Sequence, residues 1–456
     1  MAFIAPFRGL RYNPSKISRM EEVVTPPYDI IDDKARDAFV ARNPYNVIRL
    51  DLSKSHGPGP EADRYEQARK RLEEWQLGQI LIRDPLPAIY LYHIEYIHPS
   101  GRRLTRKGLV GLVRLAEFSE GVVKPHERTF RGVVTDRLQL LETCRTQFSQ
   151  IFSLYPDEEN AVMARLEQSC PAEPLYTLTD DNRARHRLWA VTDPDALTNV
   201  QALFAGKSLY IADGHHRYTT ALQLRERMRE QFGTLPEESP FNHTMMYLCS
   251  MDDPGLSVLP THRLVRLPGN QSAAELTTRL EERFSVEEVT GASRETLVAE
   301  ILSRMEEREK GTVFGLYHPA EDRCFLLTLR DGGMAAEFSS DSPLLDLDVV
   351  VLSDLVLERL LGLDHGRCEG ENLVDYYSDP DEAIDAAVKE AAGQKEWSPV
   401  IFLMNPTPVR QVKQVADANL VMPHKSTFFY PKILTGLVMN KLEAGEKIGR
   451  VGARCA

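Results

Sequence analysis

Ser208-Leu209-Tyr210-Ile211-Ala212-Asp213-Gly214-His215-His216-Arg217-Tyr218 decides the reading of this chain. Ser208 to Ala212 is a short apolar strand that runs straight into a polar turn containing one glycine. Tyr218 to Phe232 then sets Ala221, Leu224 and Met228 at helical spacing, which places the turn at a helix start. Such a strand-turn-helix presents free backbone N–H groups and the positive end of the helix dipole, an arrangement suited to anions. Arg217 adds a bidentate donor, Gly214 allows close backbone approach, and His215 or His216 offers a hydrogen bond to phosphate or a proton shuttle. The competing reading makes Asp213 a plain helix cap and one histidine a core residue. Consecutive side chains diverge, and no H-x-x-x-H or H-E-x-x-H spacing occurs, so no metal is expected from a side-chain motif.

Upstream, the prolines of Ile4–Tyr12 and Val23–Ile31 favour extended backbone, Asp32 to Arg42 reads as a helix, and Tyr45 to Leu50 alternates like a strand. His56-Gly57-Pro58-Gly59-Pro60 reads as exposed punctuation before a helix from Glu61 to Gly78, whose stripe is Tyr65, Ala68, Leu72 and Trp75. Ala88–Ile97 and Gly108–Leu115 form an expected hairpin around Pro99-Ser100-Gly101. A helix from Asp136 to Arg145, strands Phe148–Tyr155 and Leu188–Val191, and a helix between Asn160 and Cys170 follow.

Downstream, Met245–Met251 and Leu256–Leu259 are strand-like, and beyond Pro268-Gly269-Asn270 the texture changes. Charge-rich helices Ser272–Phe284 and Arg294–Lys310 alternate with strands Thr312–Tyr317 and Cys324–Leu329. Helices Asp348–Leu361 and Asp381–Ala392 and a strand Val400–Met404 close the pattern. The chain therefore reads as mixed α/β, with a domain boundary near Leu267 that separates 1–267 from 268–456. Two domains suit a length of 456 residues.

A net charge of −12 disfavours nucleic acid as a partner. Cys144, Cys170, Cys249, Cys324, Cys368 and Cys455 lack any C-x-x-C pair, which fits a reducing cytoplasm better than a disulfide framework. No leader and no membrane span is expected from the hydropathy pattern. Standard P-loop, Rossmann and hydrolase-elbow motifs are missing from strand-to-helix contexts.

Other stretches carry candidate chemistry. In His126-Glu127-Arg128-Thr129 a carboxylate stands beside an imidazole and a guanidinium, so Glu127 is a candidate general base; a solvent-exposed loop is the alternative. Pro26-Pro27-Tyr28-Asp29 suits either a pocket wall anchored by Asp29 or an ordinary proline turn. Pro260-Thr261-His262-Arg263 and His424-Lys425-Ser426-Thr427 each combine hydroxyl, imidazole and cation, the chemistry that grips anionic substrates.

With these stretches, the chain resembles the bacterial and archaeal family called domain of unknown function 1015 over nearly its whole length. The resemblance is carried by Pro6-Phe7-Arg8-Gly9-Leu10-Arg11-Tyr12, Pro26-Pro27-Tyr28-Asp29, Asn43-Pro44-Tyr45-Asn46, His126-Glu127-Arg128-Thr129, Asp213-Gly214-His215-His216-Arg217-Tyr218, Pro260-Thr261-His262-Arg263 and Met422-Pro423-His424-Lys425-Ser426-Thr427. That family supplies no settled activity. The Asp213–Arg217 turn alone is similar to the Gly-x-His-Arg turn of the ParB and sulfiredoxin-like group, free serine kinases included, which grips nucleotide phosphates. That second resemblance implies a ParB/sulfiredoxin-like nucleotide-binding core followed by a C-terminal α/β domain. It implies phosphate on Gly214, His216 and Arg217 with Asp213 and His215 beside them, and catalysis by Glu127, His126, Asp29 or His215. Arg8, Tyr28, Arg128, Thr129, His262, Arg263, His424, Lys425 and Ser426 are the expected substrate contacts. The activity so implied is phosphoryl transfer from ATP or ADP with Mg²⁺ to a small hydroxyl metabolite such as serine. A phosphatase of a small phosphorylated metabolite and a non-catalytic nucleotide sensor are the alternatives.

Overall fold

The computed structural model describes residues 1–54, 63–291, 293–307, 311–335, 342–393 and 396–449. The expected punctuation at His56–Pro60, the first residues of the helix expected from Glu61, the end of the helix expected to reach Lys310, and Cys455 lie outside them. The chain divides into two compact units. One comprises Met1–Pro125, Thr129–Ser257 and the segment from Pro431 onward; the other comprises His126–Arg128 and Val258–Tyr430.

The first unit is built on a nine-stranded mixed sheet. Its long centre is the hairpin Ile89–Ile97 and Arg103–Arg114, turned at Gly101, whose φ of 82° suits a residue without Cβ. Next to it lies His243–Ser250, every residue of which is buried, and then Ile151–Tyr155 and Leu209–Asp213. Two pairings are parallel, Ile151–Tyr155 with His243–Ser250 and Val123–Lys124 with Leu209–Asp213; the others are antiparallel. One face is covered by helices Ala161–Gln168 and Pro194–Phe204, whose Val162, Leu166, Leu197, Val200 and Phe204 join a core with Ile89, Leu109 and Ile211. Helices Asp63–Leu77, Arg131–Cys144 and His215–Phe232 complete the unit.

The second unit carries a six-stranded sheet whose described pairings are antiparallel, in the order Phe284–Val289, Arg323–Leu329, Val313–His318, Trp397–Leu403, His262–Pro268, Val374–Tyr377. Helices Ala273–Leu280 and Val409–Asp417 and the segment Val351–Leu360 cover one face. Helices Arg294–Glu306 and Pro380–Gly393 cover the other. Val351–Leu360, expected as plain α-helix, is wound with i→i+5 hydrogen bonds.

Several expectations are corrected. Tyr45–Leu50 is not a strand: the Asn46 carboxamide accepts from Ile48 N at 3.0 Å and starts a short helix, Ile48–Asp51. The helix expected from Asp136 begins at Arg131, and that expected over Ser272–Phe284 stops at Leu280, after which Phe284–Val289 is a strand. The division of the chain falls before His262–Pro268, because that strand is hydrogen-bonded on both sides within the second sheet. The C-terminal segment belongs to the first unit, where Leu10 and Met439 exchange hydrogen bonds and Asn440–Lys441 pairs with Thr146–Gln147.

Candidate functional site

The strand Leu209–Asp213 shifts register between Ile211 and Asp213 as it leaves the sheet, and this irregularity delivers the turn. The helix His215–Phe232 is entered through Gly214 at φ 98°, ψ 29°, a conformation that costs little only for glycine. Asp213 is thus the last strand residue and not the helix cap; no side chain caps this helix. A Cβ on Gly214 would stand 2.9 Å from the Arg217 Nε and Nη2 atoms, so the guanidinium lies folded across the glycine. Arg217 Nη1 donates to the Gln150 carbonyl at 2.5 Å, and Nη2 lies 3.4 Å from Asp213 Oδ1.

Asp213 also accepts from Lys432 Nζ at 2.9 Å. Burial alone would lift its carboxyl, but Lys432 and then Arg217 outweigh it and hold the group well below the ordinary carboxylate range. His215 is buried. His216 Nε2 accepts from Phe130 N at 2.9 Å, and its ring stacks on Phe130 with centroids 5.7 Å apart. That bond fixes the neutral tautomer with the proton on Nδ1.

Within the first unit Arg217 opens onto a cavity of about 50 Å³, shared with Tyr28, Asp51, Arg137, Gln147 and Thr220. Of the Asp213–Arg217 turn, Arg217 alone lines it. Arg137, 7 % exposed, donates from Nη1 to Asp51 Oδ1 at 3.0 Å and from Nε to Asp136 Oδ2 at 2.7 Å. Its Cζ lies 4.4 Å from the Tyr28 ring centroid. Burial pushes the Tyr28 phenol up to about 12, against the pull of Arg217 and Arg137. Burial likewise raises the Asp51 carboxyl, and Arg137 and then Arg217 partly offset it. Two guanidinium groups, a phenol and a carboxylate thus line one small space together with apolar Leu140, Leu141, Phe148 and Ile151, a set of groups whose chemistry suits an oxyanion.

The Asp51–Arg137 pair also lines a second cavity, of about 260 Å³, with Arg36, Lys54, Arg64 and Tyr65. Asp29 is exposed on the turn beside Tyr28, and Arg8 donates from Nε to the Asp84 carbonyl at 2.9 Å; neither lines the small cavity. Thr129 is half-buried.

In the second unit three distant stretches meet. Met422 N donates to the His126 carbonyl at 2.8 Å, His126 Nε2 lies 3.2 Å from Thr427 Oγ1, and Arg263 Nη2 donates to the Lys425 carbonyl at 3.4 Å. Glu127 Oε1 stands 4.0 Å from His126 Nε2, while Arg128 is exposed. The Tyr376 ring packs edge-on against His424, and Ser426 Oγ donates to the Pro423 carbonyl at 2.6 Å. His262 and Arg263 do not grip one ligand together. Opposite them on Val374–Tyr377 stand Tyr377 and Tyr376, and strand alternation sends the two side chains to opposite faces.

Asp51, Arg137, Asp136, Gln150 and Lys432 were not among the expected site residues. Arg137 had a signal: it occupies the second place of the stripe Val134, Arg137, Leu138, Leu141, a cation on the buried face of a helix.

The family described as "Protein of unknown function (DUF1015)" matches residues 4–350. The chain belongs to it. The matched span holds every signature stretch but the last, Met422–Thr427. No curated protein matches this member of the family. Among solved structures, a free serine kinase variant in complex with ADP is similar at 12 % identity, over 71 % of this chain and 89 % of that chain, with a TM-score of 0.34. A conserved hypothetical protein from Pyrococcus furiosus is similar at 13 % identity, 70 % and 92 % coverage and a TM-score of 0.32. SbnI with C-terminal truncation, from Staphylococcus aureus, is similar at 10 % identity, 72 % and 86 % coverage and a TM-score of 0.34. Among the described residues no helix is long and apolar enough to cross a membrane.

Proposed function

We propose that this DUF1015 chain is a kinase-like phosphotransferase acting on a small hydroxyl metabolite such as serine, with ATP or ADP as donor. The observation that carries this reading is the cavity of the first unit, where Arg217 and Arg137 stand with Tyr28 and Asp51. Phosphoryl transfer asks for positioning and for positive charge around the transferred group, and the buried Arg137 and half-buried Arg217 guanidinium groups supply both. A volume of about 50 Å³ holds roughly four waters. It seats a phosphoryl group and leaves the nucleoside outside. Asp51, raised by burial toward neutrality, is the candidate acceptor of the proton from the attacking hydroxyl. Among the described residues no three His, Cys, Asp or Glu side chains group as a metal cage. Mg²⁺ would be held chiefly by the donor's phosphates, whose charge it would neutralise, with Asp51 as the carboxylate at hand.

The test is calorimetric titration of ATP, ADP and inorganic phosphate with and without Mg²⁺, paired with an assay of phosphate transfer to serine. Wild type should bind nucleotide and Arg217→Ala should lose at least tenfold in affinity. Unchanged affinity for both nucleotide and phosphate in Arg217→Ala would overturn the reading. Release of phosphate from phosphoserine without nucleotide would identify a phosphatase instead.

A further inference from the structure

In the second unit the strand His262–Pro268 carries a cation to which no anion stands at ion-pair distance among the described residues. Arg263 is 5 % exposed. Its partners are two neutral carbonyls, those of Thr261 and Lys425, and the face of the Tyr376 ring, 5.7 Å from Cζ. Among the described residues no carboxylate pairs with it; Asp348 acts on it only at longer range, and burial pushes that carboxyl up to about 6. The hydroxyl of Thr261, the residue whose carbonyl receives Arg263 Nη1, is buried and has no hydrogen-bond partner among the described residues. Burying an unpaired charge and an idle hydroxyl together is unfavourable in the unliganded protein.

The surrounding backbone is strained toward the same place. Lys425 sits in the left-handed region at φ 56°, which costs a residue with a Cβ, and its carbonyl receives Arg263 Nη2. The turn that holds it is anchored by Thr407 Oγ1 donating to the Ser426 carbonyl at 2.8 Å and by the contacts of Met422 and Thr427 with His126. The guanidinium has five N–H groups, of which two are spent on these carbonyls. An oxyanion, carboxylate or phosphate, is the ligand that such a fork and the idle Thr261 hydroxyl satisfy together.

We infer that Arg263 and the Thr261 hydroxyl form an oxyanion-binding site in the second unit, which takes a carboxylate or a phosphate group and has the Tyr376 ring as a wall. His262 is not part of it, since it points to the other face of the sheet. The site shares no residue with the Arg137–Arg217 cavity and stands whether or not the chain is a kinase.

The full-length protein is titrated with inorganic phosphate and, separately, with acetate, as wild type, Arg217→Ala, Arg263→Met and Thr261→Val. Arg217→Ala should keep one oxyanion site, and Arg263→Met should weaken that site about tenfold or more. Without ligand, Arg263→Met should melt no lower than wild type, because it removes an unpaired buried charge. Where Arg263→Met does not fold, Thr261→Val preserves shape and should weaken binding severalfold. Whichever of phosphate and acetate binds Arg217→Ala identifies the oxyanion class. Loss of all oxyanion binding in Arg217→Ala, or unchanged binding of both probes in Arg263→Met or Thr261→Val, would overturn the inference.

Discussion

Arg217 lies across Gly214 so closely that a single methyl group on the glycine would meet its guanidinium at 2.9 Å. The φ of 98° at Gly214 adds a second obstacle to any side chain there. Gly214→Ala is therefore expected to cost about 1–3 kcal/mol of stability and to push Arg217 off the Gln150 carbonyl. Urea unfolding and phosphate titration of this variant check both effects. An alanine variant as stable as wild type, with undiminished phosphate affinity, would show that the packing of Arg217 on Gly214 is dispensable.

Asp51 faces two arginines, and its removal separates binding from chemistry. Asp51→Asn keeps the hydrogen bond from Arg137 and deletes a negative charge from the cavity, so phosphate affinity should hold or rise. Transfer to the acceptor hydroxyl should fall about a hundredfold or more, the usual worth of a positioned base. A kcat that stays within a few-fold of wild type would remove Asp51 from the chemistry.

Lys432 makes acid stability a readout of the Asp213 cluster. The Asp213 carboxyl is depressed in the folded protein, so its contribution is present above the ordinary aspartate value of 3.8 and is lost as pH falls through the folded value. Lys432→Met removes the strongest of the groups that hold Asp213 ionised and should cost about 1.5–3 kcal/mol near neutrality. Below pH 4 the difference from wild type should narrow, because the unfolded chain then takes up a proton at Asp213 while the folded wild type, held ionised by the ammonium, does not. Urea midpoints between pH 3 and pH 7 measure this, and a gap constant across that range would contradict the assignment.

How far the sequence is legible depended on whether a segment shows its environment on both sides. His243–Ser250 is buried on both faces and reads as an apolar run. Three of the missed strands, Tyr176–Thr179, Phe284–Val289 and Val374–Tyr377, lie at sheet ends, paired along one side, and carry polar or charged residues such as Glu287 and Glu288. Their residues satisfy solvent as much as core, so periodicity is weak. The central His262–Pro268 was missed as well, its apolar residues broken by His262, Arg263 and Arg266. In the candidate site the glycine turn and Arg217 were visible as a strand-turn-helix pattern. Asp51 and Arg137 were not, because their pairing joins a short helix to a long one 86 positions apart. Spacing along the chain carries no mark of that contact.

His262 offers a test that is independent of any ligand. Its Nδ1 accepts from Met404 N at 3.0 Å, so the neutral ring must carry its proton on Nε2. Burial, helped by Arg263, draws its pKa down from 6.5 to about 4. The unfolded chain therefore takes up a proton at this residue before the folded one does, and stability is lost as pH falls from 6.5 toward 4, by at most about 3 kcal/mol. That window lies above the one assigned to Asp213, so the two contributions separate along a single pH series. His262→Asn retains a side-chain acceptor for Met404 N and removes the titration. Its stability should fall less steeply than that of wild type between pH 6.5 and pH 4, and the nitrogen NMR shifts of wild-type His262 should stay those of a neutral Nε2–H imidazole down to about pH 4. A ring that titrates near 6.5, or a variant with the full acid slope, would place an unrecognised acceptor or water beside Nε2.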